Sequence, residues 1–157
     1  MNTNPQFIIT SSGANLGKPG TAIIPVGSNN DFGQSVTTQS DGKTVVAGYS
    51  VNASGSYDFS LIRLNANGSL DTSFNGTGKA IIDVGRSYDL AYSVTLQSDG
   101  KIVVAGTSSN GGNYDFSLIR LNANGSLDTS FNATGKAIID VGGSYDLAFS
   151  VSLQSDG

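Results

Sequence analysis

The turn Leu70-Asp71-Thr72-Ser73, repeated as Leu127-Asp128-Thr129-Ser130, has the residue types of a carboxylate hydrolase. Aspartic proteases bring together an Asp-Thr-Gly or Asp-Ser-Gly turn from each of two halves, so that two carboxylates share one proton. Here Ser stands where that Gly would be, and the copies fall at equivalent places in successive repeats. An Asp that caps its own backbone turn accounts for the same residues more simply. A second acid-dependent route would use Asp89 or Asp146 near a central channel. It needs a carboxylate pair within about 5–10 Å in one cleft, and it fails if every repeat Asp sits at a separate turn.

Two further patterns invite chemistry. Asn65-Ala66-Asn67-Gly68-Ser69-Leu70-Asp71, with its copy at 122–128, has the oxygen-bearing side chains and bend glycine of a calcium loop. Calcium loops use several carboxylates, however, and only Asp71 or Asp128 supplies one; an Asn-Gly hairpin explains the segment. Arg63 and Arg120 lie mid-strand in apolar surroundings, where Arg pairs with a nearby Asp or extends its head to water more often than it reads an acidic ligand. No metal and no cofactor is assigned.

What is missing narrows the function classes. The 157 residues contain no Cys, no His and no Trp. Thiolate chemistry, disulfides and the commonest general base and metal ligand are therefore absent. The net charge is −4, with no Lys/Arg cluster, so no nucleic-acid partner is expected. Apolar runs of a few residues fall far short of the ~20 that cross a bilayer, so no membrane insertion is expected either.

The elements that must position these residues come from a repeat. YDFSLIRLNANGSLDTSFN occurs unchanged at 57–75 and 114–132, and QSDG recurs at 39–42, 97–100 and 154–157. A period in this range marks a modular architecture. The spacing predicts an irregular segment over 1–19, a partial first repeat over 20–42, a second over 43–100 and a third over 101–157, ending in mid-blade. The partial copy aligns Gly20–Ile24 with Gly78–Ile82 and has Pro25 where the others have Asp83 and Asp140. One period reads as four strands, 91–97, 101–108, 115–122 and 136–142, separated by Asp-Gly and Asn-Gly hairpins. Asp99-Gly100 is expected to give the positive φ angles of a tight turn. The fold class is all-β: antiparallel four-stranded β-propeller-type blades in tandem, a partial propeller of about two and a half repeats. A β-solenoid is the competing architecture, but its coils rarely double back.

QSDGKIVVAG, YDFSLIRLNANGSLDTSFN and GKAIIDVG followed by SYDLAYSVTLQSDG together resemble the delta-60 repeat of bacterial surface and secreted proteins. The resemblance covers about Gly20–Gly157. It implies tandem β-propeller blades and an extracellular or cell-surface location, and it brings no catalytic residues or ligand set. Family members carry many copies, so a chain of two and a half is expected to be part of a longer array or to be completed by strand addition from other chains.

In an up-and-down blade, alternate connections lie on opposite faces. The DGK turns and NGSLDTSFN segments share one face and are nearly invariant. The other face carries the connections that differ between copies, with Tyr49, Asn52, Tyr57, Arg86, Tyr88, Asp89, Asn110, Asn113, Tyr114, Tyr145 and Asp146 as ligand-binding candidates. Tyr, Asn, Ser and Gly suit adaptable polar recognition. The expected role is a non-enzymatic structural or adhesive module. Its partners are itself or the rest of an array through edge strands, and a glycan or surface protein through the variable loops.

Overall fold

The computed structural model describes residues 23–85, 87–109 and 112–155. The segment 1–19, Arg86, Asn110 and the final turn at 156–157 lie outside the described residues. Two four-stranded antiparallel sheets follow one another along the chain. Blade 1 contains β1 (Asp31–Thr38), β2 (Thr44–Val51), β3 (Tyr57–Leu64) and β4 (Lys79–Ile82); blade 2 contains β5 (Asp89–Leu96), β6 (Ile102–Ser109), β7 (Tyr114–Leu121) and β8 (Lys136–Ile139). Each sheet keeps sequence order, β1-β2-β3-β4 and β5-β6-β7-β8. The blades run from Asp31 and from Asp89, so divisions at 43 and 101 fall between the first and second strands of a blade.

The predicted strands are present with ends shifted by one or two residues, except the fourth. Its expected span of 136–142 shortens to 136–139, because β8 pairs with β7 only from Phe116↔Ile139 to Ile119↔Lys136. The hairpins share one closure. Gln39 N–H donates to Lys43 O, Asn52 N–H to Ser56 O and Asn65 N–H to Ser69 O, each with a second bond from the glycine N–H back to the first residue's carbonyl. Only the glycine is left-handed (Gly42 φ 81°, Gly55 φ 85°, Gly68 φ 80°). The Asp-Gly loop is therefore longer than a two-residue turn and asks for positive φ only at Gly, while Asp41 and Asp99 accept from the N–H of Lys43 and Lys101.

Each inner strand carries a bulge, between Gly33 and Ser35 in β1 and between Ala91 and Ser93 in β5. The partner strand approaches so closely that a Cβ at Gly48 would lie 1.8 Å from Phe32 O, and one at Gly106 2.1 Å from Leu90 O. That contact explains the glycine in VVAGY and VVAGT.

β2 and β3 are covered on both faces, which is why their runs are almost continuously apolar. On one face Val45, Ala47, Phe59, Leu61, Phe74, Ala80 and Ile82 join Ala91, Val94, Ile102, Val104, Ile119 and Leu121 of blade 2 in a single core. On the other, Val46, Ile62 and Leu64 pack with Ile24, Val26 and Leu70. Burying each large side chain contributes about 1.5–3 kcal/mol before ordering costs. Neighbouring segments are also tied together: Ser35 Oγ of β1 accepts from Val94 N–H of β5, and Ser93 Oγ of β5 from Val151 N–H in the segment after β8, both at 3.2 Å.

Candidate functional site

The two ends of each blade do different work. At the end formed by the near-invariant turns, Arg63 Nε donates to Asp71 Oδ2 at 2.7 Å and Lys43 Nζ stands 3.2 Å from the same oxygen. Asp71 Oδ1 accepts from Ser73 N–H and Oγ–H. The Ser73 hydroxyl first, with Lys43 and Arg63, holds the Asp71 carboxyl well below the usual carboxylate range. Arg63 also reaches across the blade boundary to Ala123 O and lies over the Phe74 ring at 4.8 Å. The Asp-Thr-Ser turn is thus a self-capping turn tied to an ion pair, and Asn67 Oδ1 is occupied by Ser69.

The opposite end collects the sequence-predicted ligand residues. Tyr49 and Tyr57 meet edge-on with centroids 5.6 Å apart, and Tyr57 meets Tyr88 at 5.4 Å. Phe32, which sequence reasoning missed, extends this row by stacking on Tyr49 at 4.9 Å. The β4–β5 connection is sewn to β3 by Tyr57 N–H donating to Ser87 O. Burial, and after it the neighbouring Tyr57, raise the Tyr49 phenol. Tyr88 remains 42% exposed. In blade 2 the row is shorter: Tyr114 stacks on Tyr145 at 5.6 Å, while Leu90 and Thr107 replace Phe32 and Tyr49. Thr107 is buried, and its hydroxyl lies 3.0 Å from Asp115 O and 2.9 Å from Asp146 O.

Asn52 is turned inward to its own loop. Its Oδ1 accepts from Ser54 and Ser56 N–H, and its Nδ2 donates to Asp58. Asn113 is exposed. Asp89 is buried at 1% exposure, with Oδ2 accepting from Val84 N–H at 2.6 Å and Oδ1 from Gly85 N–H at 3.0 Å. Asp146 repeats the first contact with Val141. Burial pushes the Asp89 carboxyl up, and the two backbone N–H groups pull against it.

The carboxylates at this end are gathered, not kept at separate turns. Asp58, Asp83 and Asp89 each place an oxygen within 4.8 Å of the others, and Asp115, Asp140 and Asp146 do the same. Asp89 and Asp146 therefore sit in different clusters, each with two carboxylates that sequence reasoning overlooked. The signal was present: all three positions recur at a spacing of 57 residues. Asp58 and Asp115 lie inside the perfectly repeated segment.

A family model described as "Domain of unknown function (DUF5122) beta-propeller" matches residues 39–74 and 97–131. The two sheets are β-propeller-type blades. The two matched stretches run from the β1–β2 or β5–β6 turn through the Asp-Thr-Ser turn, so they include the ion-pair end of each propeller blade. No curated protein matches the chain.

Proposed function

We propose that the chain is a non-enzymatic propeller-repeat module of the delta-60 type from a bacterial surface or secreted protein, structural or adhesive in role, with the variable-loop end of blade 1 as its contact surface for glycans. The Phe32–Tyr49–Tyr57–Tyr88 row carries this reading. Four rings in sequence, the last of them 42% exposed, offer flat apolar faces beside Asn and Ser groups. Aromatic faces bordered by adaptable hydrogen-bonding groups suit sugar rings. Blade stacking supports the structural half of the proposal, since the face of blade 2 away from blade 1 repeats the residues with which blade 1 receives its neighbour. A further repeat, from the same array or another copy, fits there.

Immobilised glycans of defined composition, probed with the intact chain, test the recognition half. Tyr88→Ala removes an exposed ring and is expected to cut retention at least ~10-fold while leaving the circular dichroism spectrum unchanged. Tyr145→Ala, in the shorter row, is expected to have a smaller effect. Absence of retention on every glycan, or retention indifferent to Tyr88, removes the reading.

A further inference from the structure

The acidic clusters at the variable-loop end are bordered by buried hydroxyls that make no well-formed hydrogen bond. Ser50 lies directly opposite Asp58 in the β2–β3 register, and Ser108 lies opposite both Asp89 and Asp115. Directly opposed residues of an antiparallel pair project to the same side, with Cβ atoms about 5 Å apart. Both hydroxyls therefore face the carboxylate row. Ser50 is 1% exposed and Ser108 0%; the Ser50 Oγ has no hydrogen-bond partner, and the Ser108 hydroxyl is turned to the Asp89 carboxylate without a well-formed bond to it. A buried hydroxyl without a partner calls for an explanation, and an ion or water at the site is one.

We propose that each blade carries a calcium-type divalent-cation site at its variable-loop end, formed by Asp58, Asp83 and Asp89 in the first and Asp115, Asp140 and Asp146 in the second, with the Ser50 and Ser108 hydroxyls alongside. The donors are hard oxygens, the class that calcium takes. Each cluster gathers three carboxylates from three chain segments: the start of β3 or β7, the residue after β4 or β8, and either the start of β5 (Asp89) or the segment after β8 (Asp146). The first site thus spans the boundary between blades, because Asp89 begins β5. Among the described residues, no Lys or Arg forms a salt bridge with any of the six carboxylates. Lys136 Nζ donates to the backbone carbonyl of Asp83, and Asn52 Nδ2 donates to Asp58. The chain also contains a natural variant of the arrangement: Pro25 occupies the Asp83 position before Asp31, and among the described residues Asp31 keeps its backbone cap from Val26 and Gly27.

The proposal is independent of glycan recognition. Its test is titration of the intact chain with calcium chloride by calorimetry, together with thermal unfolding at matched ionic strength. Saturable binding of two ions per chain is expected, in the 10⁻⁴–10⁻³ M range of roughly extracellular modules. At 10 mM calcium the melting temperature is expected to rise by about 3–8 °C. Asp83→Asn combined with Asp140→Asn should abolish both effects while circular dichroism stays unchanged; Asp41→Asn with Asp99→Asn, at exposed turns, should change neither. Ser108→Ala, which leaves every carboxylate in place, should weaken binding several-fold. The proposal is overturned by an absence of saturable binding, by binding that survives loss of Asp83 and Asp140, or by an equal rise in sodium chloride.

Discussion

Blade 1 and blade 2 contain the same nineteen residues, YDFSLIRLNANGSLDTSFN, in two different surroundings. In blade 1 that segment receives a neighbour: Arg63 bonds to Ala123 O, Asn75 N–H donates to Asn124 O, and Phe74 is fully buried against Gly125. In blade 2, Arg120 keeps its bonds to Asp128 and Ser130 and its place over Phe131, but makes no cross-blade bond among the described residues. Its side chain is 22% exposed against 6% for Arg63. Further along, Ile82 is 8% exposed and Ile139 47%, Val84 9% and Val141 61%. Identical sequence thus gives an identical local frame and a different burial. The strand, hairpin and Asp-Thr-Ser turn are encoded within the repeat, whereas the core belongs to the junction between repeats, as in other arrays whose units contact their neighbours.

The largest expected consequence is at the arginines. Arg63→Ala leaves Asp71 and Ala123 O without their buried partner and is expected to cost about 3–5 kcal/mol, the range for breaking a buried ion pair. Arg120→Ala breaks the same pair where water reaches it, and about 1 kcal/mol or less is expected. Urea denaturation of the two variants measures the contrast. Equal losses would mean that the pair acts within the blade alone, and the junction would lose its claimed share.

Strand number, order and type were legible because each strand is bounded by its own turn residues within a single period. For Arg63, pairing with some nearby Asp was legible but the partner was not, since Asp71 read as a residue capping its own turn. The aromatic row was half legible. Tyr49, Tyr57 and Tyr88 could be assigned to one face from the alternation of connections, but Phe32 could not, since it joins them through the bulged β1–β2 register. Of the acidic clusters, only the 57-residue recurrence of their members was legible, not their meeting. Each combines residues on either side of a hairpin with the first residue of the next blade, and no spacing in the sequence states how blades pack.

A smaller effect is expected in the core. Ile82→Val removes one methyl group from a buried position and should cost about 0.5–1.5 kcal/mol. Ile139→Val, at the corresponding uncovered position, should stay within about 0.5 kcal/mol. If addition of a further repeat covers blade 2, the Ile139 value should rise to that of Ile82 in the longer chain. Denaturation midpoints of the two-blade and extended proteins compare them directly.

The smallest expected contrast concerns pH. The folded Asp71 carboxyl is held below the roughly 3.9 of an unfolded Asp. On acidification the unfolded chain therefore takes up this proton first, so the stabilisation is present above about pH 4 and is lost as the pH falls through the folded value. Asp128 is also lowered, with the Ser130 hydroxyl as the main cause, but Lys101 stands 3.8 Å away where Lys43 is at 3.2 Å from Asp71. Asp89 has the opposite sign. Burial raises its folded value, so its ionised form weakens the fold at neutral pH, and that penalty is relieved as the pH falls through the raised value. Asp71→Asn should flatten the fall in urea midpoint between pH 7 and pH 3, Asp128→Asn should flatten it less, and Asp89→Asn should steepen it. Asp71→Asn and Asp128→Asn curves that coincide would show that the covered and uncovered blades hold their turn carboxylates equally, and the electrostatic part of the contrast would be withdrawn.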